Sequence, residues 1–184
     1  SWDTLGNTEL RVDLAGGLTP KVVDTTPSGN GVRDNDSDPE GDPSVVTGIV
    51  GCADPTAPFD CTLGDGSIVS MLANGSFTYT PGPGNTSGTF QYAVTDIPAF
   101  GTPLSSTGTV NITILDMIWY VNGSAAAGGN GTSIAPFNSF ASLNGPGGAG
   151  DADSPNATIF VHDSNVIGGI GLEANQKLWG EGVG

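Results

Sequence analysis

The sequence predicts an all-β protein in two parts, a β-sandwich followed by the first coils of a parallel β-solenoid. Three observations carry that prediction. Short runs alternating between apolar and polar residues recur along the chain, the pattern of half-buried strands. Glycine supplies 30 of the 184 residues, and much of it sits between those runs, where turns belong. After Asp116 the alternation gives way to brief strands set between Gly/Asn-rich turns, the pattern of stacked rungs. Helical periodicity is nearly absent; only residues 137–143 read as a short helix.

Residues 1–20 hold one alternating stretch, from Leu10 to Leu14, closed by Gly16-Gly17, and read as a lead-in strand or linker. Residues 21–116 read as the sandwich, with six or seven short strands. Residues 45–50 make one strand. Residues 67–72 and 76–80 form a hairpin about Asn74-Gly75, a pair that tolerates positive φ. Pro81-Gly82-Pro83-Gly84 ends it, and residues 90–96 and 108–114 are two further strands. Phe77, Tyr79, Phe90, Tyr92, Val94, Val110 and Ile112 are the expected core. Residues 117–184 read as the incomplete N-terminal part of a parallel β-solenoid. Its brief strands are residues 117–122, 158–162, 168–172 and 176–180, with a Gly-rich loop from Gly145 to Asp153. About two rungs bury too little apolar surface to stand alone, so a neighbouring edge is expected at the open end.

Composition narrows the partners. Nineteen acidic residues face only Arg11, Lys21, Arg33 and Lys177, a net charge of −15. Such a polyanion repels nucleic acid and anionic membranes, and no apolar run is long enough to span a bilayer. Cys52 and Cys61 read as a loop-closing disulfide formed in an oxidising compartment, worth about 2–3 kcal/mol; buried free thiols are the alternative. His162 is the single histidine and lies far away, which argues against zinc.

The densest chemistry lies between Asp34 and Pro43. Asp34, Asp36, Asp38, Glu40 and Asp42, with Asn35, crowd carboxylates into a segment broken by Pro and Gly. Like charges that close repel unless a cation intervenes, and oxygen ligands on a loop suit Ca²⁺. Asp36, Asp38 and Asp42 are the leading ligand candidates. Asp34 ranks lower because Arg33 competes for it, and Glu40 because Pro39 restricts its direction. Asn35 faces away from its neighbours if the segment is extended. Asp151, Asp153 and Asp163 around His162 form a second cluster, read as polar solenoid corners. Trp2, Trp119 and Trp179 are candidate sugar-stacking platforms; burial is expected for Trp119, inside an apolar strand, and for Trp179, at a coil position, while Trp2 near the terminus is open to either reading.

Two stretches resemble known families. Residues 29–116, with Asn35-Asp36-Ser37-Asp38-Pro39-Glu40-Gly41-Asp42, Gly75-Ser76-Phe77-Thr78-Tyr79-Thr80-Pro81 and Tyr92-Ala93-Val94-Thr95-Asp96, resemble a bacterial cadherin-like or Ig-like tandem repeat of large surface adhesins. The resemblance implies a Ca²⁺-binding stalk module in which Asp96 closes the site from across the sandwich. The Cys52–Cys61 segment departs from the pattern as an insertion, and residues 97–103 replace a shorter turn. Residues 118–182, with Trp119-Tyr120-Val121-Asn122, Asn130-Gly131-Thr132-Ser133, Pro136-Phe137-Asn138-Ser139 and Gly169-Ile170-Gly171-Leu172, resemble the opening of a right-handed parallel β-helix of the pectate-lyase-like type. In that superfamily any catalytic groove lies further along the helix.

The expected function is therefore a non-enzymatic extracellular structural or adhesive module of a large secreted or cell-surface bacterial protein. Ca²⁺ would stiffen it, and strand edges would join it to neighbouring domains or to copies of itself, head to tail, into filaments. Surface glycans are a further candidate partner. The alternative is the N-terminal part of a β-helical polysaccharide lyase or hydrolase, for which four basic residues provide little equipment.

Overall fold

The computed structural model describes residues 1–14, 21–23, 29–144, 150–162, 166 and 168–181. Among them the strands are β1 (Trp2–Gly6), β2 (Glu9–Val12), β3 (Lys21–Val23), β4 (Ser44–Ile49), β5 (Phe59–Thr62), β6 (Ile68–Met71), β7 (Phe77–Thr80), β8 (Ser87–Asp96), β9 (Ser105–Val121), β10 (Thr158–Val161) and β11 (Lys177–Gly180). One sheet runs β3-β2-β7-β6-β5. The other runs β4-β8-β9 and continues through β10 to β11, with β1 also paired to β9.

The first core lies between these sheets. Leu10, Val12, Val69, Met71, Phe77 and Tyr79 from one meet Val46, Ile49, Phe90, Tyr92, Val110 and Ile112 from the other. The seven expected core residues all take part, with Val94 half-buried at its margin. Phe77 is the hub, edge-on to Trp2 at 5.3 Å and to Phe90 at 5.5 Å. Aromatic side chains at strict two-residue spacing put all their rings on one face of the sheet, which is why this core forms.

The hairpin at Asn74-Gly75 is where expected, but its turn differs. Only Gly75 takes positive φ, at 94°, and its N–H donates to the Leu72 carbonyl at 2.9 Å. A three-residue turn of this kind needs one left-handed residue rather than two. The β5–β6 turn repeats the device with Gly66, at φ 82°.

Residues 1–12 are not a lead-in. β1 runs parallel to β9, and β2 lies between β3 and β7 inside the sandwich. The Gly16-Gly17 stop expected there lies outside the described residues. The cysteine segment is not a loose insertion either. Cys52 and Cys61 are bonded, with Cα atoms 5.8 Å apart, and β5 carries Phe59 and Cys61 into the core.

β9 is 17 residues long and serves both parts of the chain. Ser105 to Thr113 pair antiparallel with β8, Ile112 to Met117 parallel with β1, and Ile118 to Val121 parallel with β10. Between Thr4 and Gly6 two steps on β1 span three on β9, from Ile114 to Met117. That extra residue reverses the alternation. Before it Val110, Ile112 and Ile114 face the first core; after it Trp119 and Val121 face a second core with Ile159, Phe140, Leu143 and Ala157. The change of pattern after Asp116 is thus a change of face within one strand, not a break between strands. The short helix expected in residues 137–143 is a 3₁₀ turn, Phe140–Ser142, capped by the Ser139 hydroxyl.

Candidate functional site

The acidic segment lies at the end of the sandwich where β4 begins and β8 ends. Val32 N–H donates to the Gly75 carbonyl, and residues Gly31–Asn35 close into a 3₁₀ turn. Asp34 and Asn35 therefore sit in a turn, so the extended case considered for Asn35 does not apply. Arg33 does not turn to Asp34; its guanidinium donates to Ser44 Oγ at 3.3 Å and to the Asn74 carbonyl at 3.4 Å.

From Asp36 on, the backbone is shaped by its own carboxylates. Asp38 Oδ1 accepts the N–H groups of Glu40 at 2.9 Å and Asp42 at 3.0 Å, and Gly41 N–H returns to the Asp38 carbonyl. This is the way an aspartate folds a turn about itself. Tyr92, on β8, brings its hydroxyl to both Asp36 oxygens, at 3.1 and 3.0 Å. Burial pushes that phenol well above its ordinary value, and the neighbouring Asp36 carboxylate raises it further. Asp96 ends β8 opposite Ser44, and its Oδ1 accepts the Leu104 N–H at 2.5 Å.

Asp36, Asp38 and Asp96 line one cleft of about 210 Å³, with Ser105 and Ser106 on its far wall. Asp34 and Asn35 line a different opening, beside Trp2 and Asp3, and Asp36 lines both. Asp42 and Glu40 line neither; their backbone groups serve Asp38. Three of the seven expected metal residues thus share a site. Among the described residues no group of three or more His, Cys, Asp or Glu side chains is close enough to hold a metal ion. The fit to Ca²⁺ is partial. The donors are of the right type, but Asp36 and Asp96 are already bonded to protein donors, and the loop must close toward Asp96 to share an ion.

Beside this cleft the β8–β9 connection exposes Ile97, Phe100 and Leu104, Phe100 by 93%. Ile97 and Phe100 belong to the altered turn read from the sequence at residues 97–103, which gave no sign of their exposure or of that of Leu104.

The second acidic cluster divides. His162 pairs with Glu181 at 3.2 Å rather than with Asp151 or Asp153, and Asp163 lies outside the described residues. Asp153 is buried, with Oδ2 2.7 Å from Gln176 Nε2. Burial, followed by the hydrogen bond and charge of Asp151, pushes its carboxyl up to about 7. Trp119 is buried as expected. Trp179 is not: it is 52% exposed on β11. No helix among the described residues is long and apolar enough to cross a membrane.

Residues 15–113, more than half of the chain, match the sequence model of the bacterial Ig domain. Neither a search of curated proteins nor one of solved structures found a match.

Proposed function

The chain belongs to the bacterial Ig domain family, and on that premise we propose that it is a rigid, non-catalytic module of an extracellular or cell-surface protein. Ig-type domains of bacteria are typical of such proteins and typically carry no catalysis. The observation that carries the reading is the sharing of β9. A spacer transmits orientation only if its parts cannot pivot, and one strand that is hydrogen-bonded in two successive ladders leaves no linker to bend. We read the in-register β9-β10-β11 ladder as the opening of a parallel β-helix. Its outer edge, β11, is where a further strand would add, from a neighbouring domain or from a second copy placed head to tail.

In the finer, cadherin-like form of this reading, Ca²⁺ occupies the cleft of Asp36, Asp38 and Asp96. The ion neutralises carboxylates that form no ion pair with a lysine or arginine among the described residues, and ties the loop before β4 to the end of β8. Calorimetric titration of CaCl₂ into the chelator-stripped chain tests this. Binding at one site, a raised melting temperature and loss of both in Asp38→Asn support it. No heat and an unchanged melting temperature remove the cation and leave a metal-free spacer.

A further inference from the structure

We propose that the outward face of the β10–β11 ladder binds a neutral saccharide, with the Trp179 indole as its stacking platform. The parallel register places Tyr120, Phe160 and Trp179 in one column across three strands. Tyr120 and Phe160 are in ring contact at 5.9 Å. Tyr120 is buried, Phe160 half-buried and Trp179 mostly open, so the column emerges from the protein as it ascends. A half-exposed indole on a hydrogen-bonded strand is a flat apolar surface fixed in direction, which is what the C–H face of a pyranose ring packs against.

The residues beside it supply the polar half of such a site. Lys177 and Glu181 stand two positions before and after Trp179, roughly 7 Å to either side along the strand. Their side chains therefore share its face. Lys177 Nζ lies over the indole at 6.0 Å from the ring centre, so a sugar stacking on that face must swing its flexible stem aside to the Lys177 end of the ring, where it offers donors only. Glu181 offers acceptors, and its Oε2 is held 3.2 Å from His162 Nδ1, so the carboxylate is oriented before any ligand arrives. A donor at one end of an aromatic plate and an oriented acceptor at the other complement a ring that carries hydroxyl groups at both ends. The Lys177 ammonium alone would also accept a carboxylate, but the chain's net charge of −15 repels polyanionic glycans, which selects an uncharged sugar.

This inference goes beyond the spacer reading and stands without it, because it uses neither the sandwich nor the acidic cleft. The test uses the whole 184-residue chain with four hexasaccharides: cellohexaose, mannohexaose, xylohexaose and hexagalacturonate. Titration is followed by tryptophan emission and by calorimetry. Saturable binding of at least one of the three neutral hexamers is expected. Trp179→Ala should weaken it at least about tenfold, and Glu181→Gln by a smaller factor, both without change in melting temperature. If Trp179→Ala melts lower than the parent, Trp179→Phe and Glu181→Gln replace it, and each should still weaken binding. The proposal is overturned if no neutral hexamer binds, if binding survives loss of the indole, or if hexagalacturonate binds more tightly than every neutral hexamer.

Discussion

The Thr8 hydroxyl lies 2.8 Å from the Tyr120 hydroxyl, buried in the seam between the two cores. These residues are 112 positions apart in sequence, one in the turn after β1 and the other in the stretch of β9 that pairs with β10. The seam has more such bonds. Ser133 Oγ accepts the Glu9 N–H at 2.9 Å, the Ser133 N–H donates to the Asn7 carbonyl at 2.8 Å, and Asn7 Oδ1 accepts the Gly84 N–H at 2.9 Å. The N-terminal segment is thereby bonded to both halves of the fold.

The Thr8 hydroxyl also donates to the Gly6 carbonyl at 3.1 Å, so it is the Tyr120 hydroxyl that depends on this pair. Thr8→Val strands it and should cost about 1–3 kcal/mol in urea unfolding. Adding Tyr120→Phe removes the orphaned hydroxyl, so the double variant should lose less than the sum of the two single losses. Strict additivity would mean that the two hydroxyls do not depend on each other.

Gly6 faces the point where β9 changes face. A Cβ built there would stand 2.5 Å from Met117 Sδ and 2.9 Å from Met117 Cα. The sulfur can swing away, but the backbone cannot. Gly6→Ala should therefore destabilise the chain by about 1–3 kcal/mol, as overpacking does. A melting temperature equal to the parent's would show that the β1–β9 approach is looser than described.

Asp153 makes stability depend on pH in the direction opposite to most aspartates. Its folded value of about 7 lies above the ordinary 3.8, so the fold prefers the neutral acid. The favourable contribution is whole below about pH 4 and disappears as pH rises to about 7. The groups facing it are Asp151, the Gln176 amide at 2.7 Å, and through that amide Glu173 at 3.4 Å. No cation is among them. The parent should thus lose melting temperature between pH 4 and 7 relative to Asp153→Asn, whose amide stays neutral throughout. Parallel profiles for the two proteins would refute a buried, proton-holding Asp153.

Much of the sandwich was legible because its signals are local. Phe77, Tyr79, Phe90 and Tyr92 alternate strictly, and a period of two can mean little else in a chain without helical spacing. The turn at Asn74-Gly75 was legible in position but not in type, since register with Ser76, not the dipeptide alone, decides which residue takes positive φ. β5 was hidden because Phe59 and Cys61 follow a segment rich in Pro and Asp that runs on from Cys52. The continuity of β9 was hidden for a physical reason: one extra residue near Leu115 and Asp116 inverts the alternation, and an inverted pattern looks like a strand end. Of the acidic segment, sequence could group the carboxylates but not sort them. The sorting depends on Tyr92, on the Val32–Gly75 bond and on the self-bonded turn at Asp38, all of them contacts made only in the fold. A coil position of the solenoid predicts burial for Trp179; its exposure follows from facing outward on the outer strand of the ladder.

β9 joins the two cores into one cooperative body, and hydrogen exchange of Ile159→Ala against the parent is the direct test of that coupling. Ile159 is fully buried in the second core, so the substitution should cost about 2–5 kcal/mol. If the strand couples the cores, the amides of Val110 and Ile112 in the sandwich will lose as much protection as that of Val121 in the second ladder. Loss confined to residues 117–181, with Val110 and Ile112 unchanged, would contradict it.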